Sequence, residues 1–160
     1  MDEIKYCNDM LVRLEELLFH ELSGCVAWKV ELVGVDFIQE KNIKGNTPYE
    51  VIQSCIKEII ASGLVKEMTY SINGRGILLN LTMKNCLHIP KEVRLKKDGV
   101  KPYLCPITNM ILDQLIEKLN FETTYLAELQ IDEKKGECIV RSAIYKDEDK
   151  IGLVCDWSQE

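Results

Sequence analysis

Apolar residues recur along this chain with two different periods, and the switches between them set out the elements. From residue 2 to 22, Ile4, Cys7, Leu11, Leu14, Leu18 and Leu22 fall three or four apart. That spacing predicts a helix with this stripe facing inward, ended by Gly24. "CVAWKVELVGVDF" (25–37) is dense in valine and aromatic residues and predicts a strand kinked at Gly34. A second helix is predicted within 46–63. Thr47 supplies the cap, Pro48 the first helical position and Glu50 the return bond of a capping box. Its apolar face combines Val51, Cys55 and Ile59 with Ile52, Ile56 and Ile60, and Gly63 closes it.

The period then shortens to two. Met68, Tyr70 and Ile72 alternate up to Asn73-Gly74, and Leu79, Leu81 and Met83 continue beyond it. This predicts a hairpin with a tight Asn-Gly turn. Residues 86–103 have weak periodicity and read as a long loop of the kind that forms lids or binding segments. A third helix is expected from about Pro106 to Asn120, with Ile107, Met110, Ile111, Leu115 and Leu119 inward. Strands follow at 123–131, 137–145 and 151–155, the first two joined by a turn at Asp132–Gly136, and Trp157 lies in the tail. Strands joined mainly by hairpins predict an α+β fold: an antiparallel sheet of about four to six strands with three main helices packed on it. No internal repeat or linker divides residues 1–160, so one domain is expected.

Charge and cysteine content narrow the partners. The net charge is −6, which argues against bulk attraction to nucleic acid or anionic lipid. No apolar run approaches the ~20 residues of a membrane helix. An early acidic pair and no apolar segment at the start argue against a secretory signal, so the expected compartment is cytoplasmic. There the seven cysteines, odd in number and scattered, are expected to be reduced. The 86–103 segment carries Lys91, Arg94, Lys96, Lys97 and Lys101 against Glu92 and Asp98. This local positive excess reads either as a solvated face or as a greeting for an anionic ligand.

Familiar catalytic patterns are absent. "NGRG" is a turn, not a phosphate loop, and no nucleophile elbow occurs. His20 reads as a surface histidine. Cys86 and His88, two apart, would share one side of an extended chain and suit zinc. Alternatively Cys86 is a small buried hydrophobe and His88 a solvated loop residue. Cys105 stands just before Pro106, at the mouth of the third helix, where the helix dipole favours a thiolate. As an enzyme nucleophile it lacks a credible base, because the only histidines are His20 and His88. Trp28, Phe37, Tyr70, Tyr103 and Tyr125 are candidates to line an apolar ligand pocket, or ordinary core rings.

From Tyr103 to about Lys146 the arrangement resembles the 4-vinyl reductase domain family. The resemblance rests on Cys105 at a helix start, Glu128 in a strand, and Cys138 after "KKGE". It implies a small-molecule-binding or sensor module for hydrocarbons, phenols or tetrapyrrole-like ligands, usually homodimeric. It also implies a fold similar to the small tethering-complex subunits of vesicle traffic. Some members of that family bind zinc through these Cys and Glu side chains. On that basis the metal candidates here are Cys105, Glu128 and Cys138, with Cys86 or His88 completing the set. One family cysteine is missing, and its place falls near Ile131. In a tight hairpin register Ile131 would face Cys138 and Glu128 would pair with Arg141 instead of turning to a metal. The alternative function is a homodimeric scaffold subunit without a small ligand.

Overall fold

The computed structural model describes residues 2–22, 32–76, 78–101, 104–125 and 129–146. In chain order the elements are α1 (Asp2–Leu22), α2 (Val35–Gln39), α3 (Pro48–Ala61), β1 (Glu67–Asn73), β2 (Leu78–Lys84), α4 (Ile89–Lys97), α5 (Pro106–Leu119), β3 (Glu122–Tyr125), β4 (Gln130–Asp132) and β5 (Glu137–Tyr145). The five strands form one open antiparallel sheet. The longest, β5, lies at its centre: β2 runs along one side, and β3 and β4 share the other end to end.

Alternation decides what each face of the sheet carries. Leu79, Leu81 and Met83 of β2 stand beside Ser142, Val140 and Cys138 of β5, and all six are buried. Thr69, Ser71 and Arg141, on the other parity, are exposed. A half-solvated antiparallel sheet takes this form. The helices cover the apolar face. Ile52, Cys55, Ile56 and Ile59 of α3 meet Ile107, Ile111 and Leu115 of α5 in the main core. The expected α+β class is what the chain adopts.

Local signals worked where the chemistry is local. Thr47 Oγ1 accepts from the Glu50 amide at 3.3 Å, and Glu50 Oε2 accepts from the Thr47 amide at 3.1 Å. The predicted capping box is therefore intact, and only Ile60 of the predicted apolar face is exposed. Asn120 ends α5 in the left-handed conformation that asparagine tolerates.

Four expectations are corrected. Val35–Phe37 belong to helix α2, not a strand; the remainder of that predicted strand lies largely outside the described residues. Gly34, at φ +95°, turns the chain there, and a Cβ on it would lie 2.8 Å from Pro106 Cβ. The β1–β2 connection is not a two-residue Asn-Gly turn. Asn73 pairs with Leu78, and Gly74–Gly76 form a short 3-10 turn between them. The 86–103 segment is not a long loop, because Ile89–Lys97 is helix α4 with proline in its first turn. Finally, the buried face of α1 is rotated from the predicted stripe. Ile4, Cys7 and Leu14 are exposed, while Val12 and Glu15 are buried. The predicted strand at 151–155 and Trp157 lie outside the described residues.

Candidate functional site

Three of the singled-out cysteines reach one region of the core. Cys86 follows β2, Cys105 caps α5 and Cys138 lies at the start of β5; all are buried in the same cluster. Cys105 Sγ accepts from the Thr108 amide at 3.5 Å, as a capping group should. Its ionisation is nevertheless opposed, since burial outweighs the help of that cap and pushes the thiol up. The expectation of an easily formed thiolate at the helix mouth is therefore corrected. Burial also pushes Cys86 up to about 12, with Cys105 near enough to add to the effect. Cys138 moves the same way, for the same two reasons.

His88 does not join these thiols. Residues 87 and 88 form a turn, so Cys86 and His88 do not project together from an extended chain. Instead the His88 ring, Nδ1 at 3.4 Å from Asn8 Oδ1, faces α1. Burial, and then the Lys91 charge, lower it to about 4, so it is neutral at physiological pH. The hairpin takes the tight register: Ile131 stands opposite Cys138 and Gln130 opposite Ile139. An apolar side chain thus occupies the place where the resemblance would put another thiol. Glu128 lies outside the described residues. Among the described residues no three His, Cys, Asp or Glu side chains come together in a set that could hold a metal ion. The zinc expectation finds no fit in them.

Of the ring candidates, Phe37, Tyr70 and Tyr125 are placed apart, and Trp28 and Tyr103 lie outside the described residues. Phe37 packs on the main core beneath Lys41, whose Nζ is 4.7 Å from the ring centre. Tyr70 donates to Gln53 Oε1 at 3.2 Å and lines an open cleft of about 750 Å³ with Tyr49, Lys44 and Lys57. Tyr125, opposite Ser142, reaches α5, where its hydroxyl bonds to the Cys105 carbonyl at 3.3 Å and to Asn109 Oδ1.

The chemically unusual feature is one that the hydrophobic pattern concealed. Lys91 of α4 is fully buried, with Nζ 2.5 Å from Glu15 of α1 and 2.5 Å from its neighbour Glu92. Both carboxylates are themselves buried. Burial opposes the ammonium, but the two carboxylates outweigh it and hold Lys91 above its ordinary value. One ammonium cannot fully compensate two carboxylates, and burial pushes Glu92 up to about 7 against the pull of Lys91. Glu92 Oε2 has no hydrogen-bond partner among the described residues. The available signal was a charged residue at an inward helical position: Glu15 lies three residues after Val12, within the face that also carries Phe19.

Beside this cluster lies a groove of about 660 Å³. Ile4, Asn8 and Val12 of α1 form one wall; Cys86, Leu87 and Pro90 belong to the other. Asn8 spans the two by donating to the Leu87 carbonyl at 3.0 Å. The groove is mostly apolar with a few amide and charged groups, a lining suited to small organic molecules. It is bounded by the very segment, 86–103, that was expected to roof a ligand.

No family model matches the sequence, and no curated protein matches it. The fold does have a solved counterpart. It is similar to the phenol-responsive sensory domain of the transcription activator PoxR, whose crystal structure was determined with phenol. The match has a TM-score of 0.54 at 13% identity and covers 92% of this chain and 80% of that one. At that identity the likeness is one of fold. Among the described residues no helix is long and apolar enough to cross a membrane.

Proposed function

We propose that this protein is a small-molecule sensory module of the 4-vinyl reductase type. It takes a small aromatic or apolar molecule, a phenol for example, in the groove between α1 and α4. The observation that carries this reading is the groove itself, about 660 Å³ and largely apolar, in a chain whose fold matches a phenol-responsive domain over 92% of its length. Small-molecule sites are typically ~300–1,000 Å³, so the groove has room for a single ring. Asn8 and the charged groups at its rim can orient a hydroxyl. The buried, hard-to-ionise Cys86 thiol in its wall contributes apolar surface, not a nucleophile.

Native mass spectrometry with a phenol series tests the reading. The expected result is a one-to-one adduct with phenol or a substituted phenol that competes with a second ring compound. A bare chain mass throughout, with no heat on calorimetric titration at millimolar phenol, overturns it.

A second observation favours self-association. Tyr6, Met10, Leu14 and Leu17 of α1 are 64%, 49%, 51% and 57% exposed and follow one another four, four and three residues apart. Such a stripe suits pairing with a second copy of the chain. Sedimentation velocity is expected to show a dimer that Leu14→Glu dissociates; a monomer at high concentration rules this out.

A further inference from the structure

α1 is attached differently from the other long helices. Nine of the fourteen residues of α5 are buried, and five residues of α3 point into the main core. Among the described residues the extended contact of α1 is with α4, to which Leu18 adds a contact with Leu104 and Val33. The apolar part of the α1–α4 seam is small: Val12, Leu95 and Val100, with Phe19 packed on them. The rest is polar: Asp9 bridges Arg94 at 2.8 Å, Asn8 holds the Leu87 carbonyl, and Glu15 meets Lys91. Water can replace each of these bonds when the helices part. Lys91 is not left without a counter-charge, because Glu92 stays beside it on α4 at 2.5 Å. Parting the seam therefore avoids the heavy cost of stranding a buried ammonium. A helix in a protein draws most of its stability from the packing of its amphipathic face, so a parted α1 also frays.

The same seam contains the groove. A molecule seated there touches Ile4, Asn8 and Val12 on α1 and Leu87 and Pro90 across from them. It adds apolar contact to an interface short of it, and that contact exists only while α1 is docked. We propose that α1 is the movable wall of this binding groove, and that a small phenol in the groove locks α1 onto α4, making α1 docking the output of ligand occupancy. The inference rests on the sensory reading above but assigns what moves.

Hydrogen exchange read by mass spectrometry on the full chain tests it, with phenol as the probe and native mass spectrometry of the same samples reporting binding. Without phenol, amides of α1 are expected to exchange faster than those of α5. If α1 must part to release the ligand, mass action slows its exchange by about tenfold with phenol at about ten times its dissociation constant. Exchange in α5 stays unchanged. Ile4→Trp, which fills the rim of the groove from an exposed position, is expected to abolish the slowing. Phenol bound by mass with unchanged exchange in α1 overturns the inference and leaves the sensory reading standing. No phenol bound at all overturns both, and the mass measurement tells the two failures apart.

Discussion

Replacing Lys91 with methionine removes the ammonium from the buried cluster while keeping an unbranched side chain of similar length, so little cavity opens. What remains is Glu15 and Glu92, both buried and facing a site without a cation. Removing one partner of a buried ion pair typically costs about 3–5 kcal/mol, because the survivor's charge is left uncompensated. That cost depends on the carboxylates being ionised. In the native protein, burial already pushes Glu92 up to about 7, while an unfolded glutamate titrates near 4.5. The folded state thus holds a proton that the unfolded chain has released, and the contribution of Glu92 to stability falls as pH rises from about 4.5 through about 7. A shift of that size corresponds to about 3 kcal/mol. The Lys91 charge pulls both carboxylates down, so without it both are raised further and protonation at lower pH relieves the uncompensated charge. Lys91→Met is therefore expected to lose about 3–5 kcal/mol at pH 8. Near pH 5 it loses only about 1–2 kcal/mol, the worth of the broken hydrogen bonds. Urea unfolding followed by circular dichroism at the two pH values, with the variant compared to the native chain at each, measures the difference. An equal loss at pH 5 and pH 8 would refute the claim that uncompensated carboxylates carry the cost.

Three further outcomes follow from the same structure. Thr47→Ala dismantles the capping box of α3 and is expected to cost about 1 kcal/mol in chemical denaturation; Thr47→Gly is expected to lose less. Tyr125→Phe removes the hydroxyl that joins β3 to the Cys105 carbonyl and Asn109, and a loss of about 1–3 kcal/mol is expected in a thermal melt. Among the described cysteines, exposed Cys7 is expected to be labelled by a disulfide reagent in the folded protein. Cys55 and Cys86, pushed up to about 12, hold about one thiolate in ten thousand at pH 8 and should resist until the protein unfolds. Peptide mapping of the labelled sites checks this, and rapid labelling of Cys86 in the folded protein would contradict its burial.

Elements whose information is local could be read from the sequence. Thr47, Pro48 and Glu50 specify the start of α3 within four residues, and Pro106 after Cys105 marks the start of α5 as clearly. The alternation in β1, β2 and β5 gave the sheet because one face of it is solvated. Helix α4 escaped for a physical reason. Two of its buried positions are Lys91 and Glu92, so its inward face carries charge where periodicity looks for carbon. The same cause rotated the predicted face of α1: the docking surface runs through Glu15, and Leu14 beside it points outward. Complementary charges on helices 76 residues apart mean nothing until the fold brings them to 2.5 Å.

The candidate site shows the other side of that lesson. Spacing brought Cys105 and Cys138 to notice, and the fold does place them with Cys86 in one core cluster. Whether such thiols can serve a metal depends on the register of the hairpin, and there one residue decides. Ile131 pairs with Cys138, so each carries its side chain to the helix-covered face, and the group meeting Cys138 across the strands is a hydrocarbon. An isoleucine at that point packs the core and raises the cost of a bare thiolate beside it, which is the direction in which Cys138 is shifted. The fixed charge of this region is supplied instead by Lys91 and its two carboxylates, on the two helices that also wall the groove. Among the described residues, the seam that holds the buried charges is thus also the one proposed to open. In the α3–α5 layer Ile52, Cys55, Ile56 and Ile59 meet Ile107, Ile111 and Leu115 with no buried ion pair between them, and it forms the frame against which α1 is proposed to move.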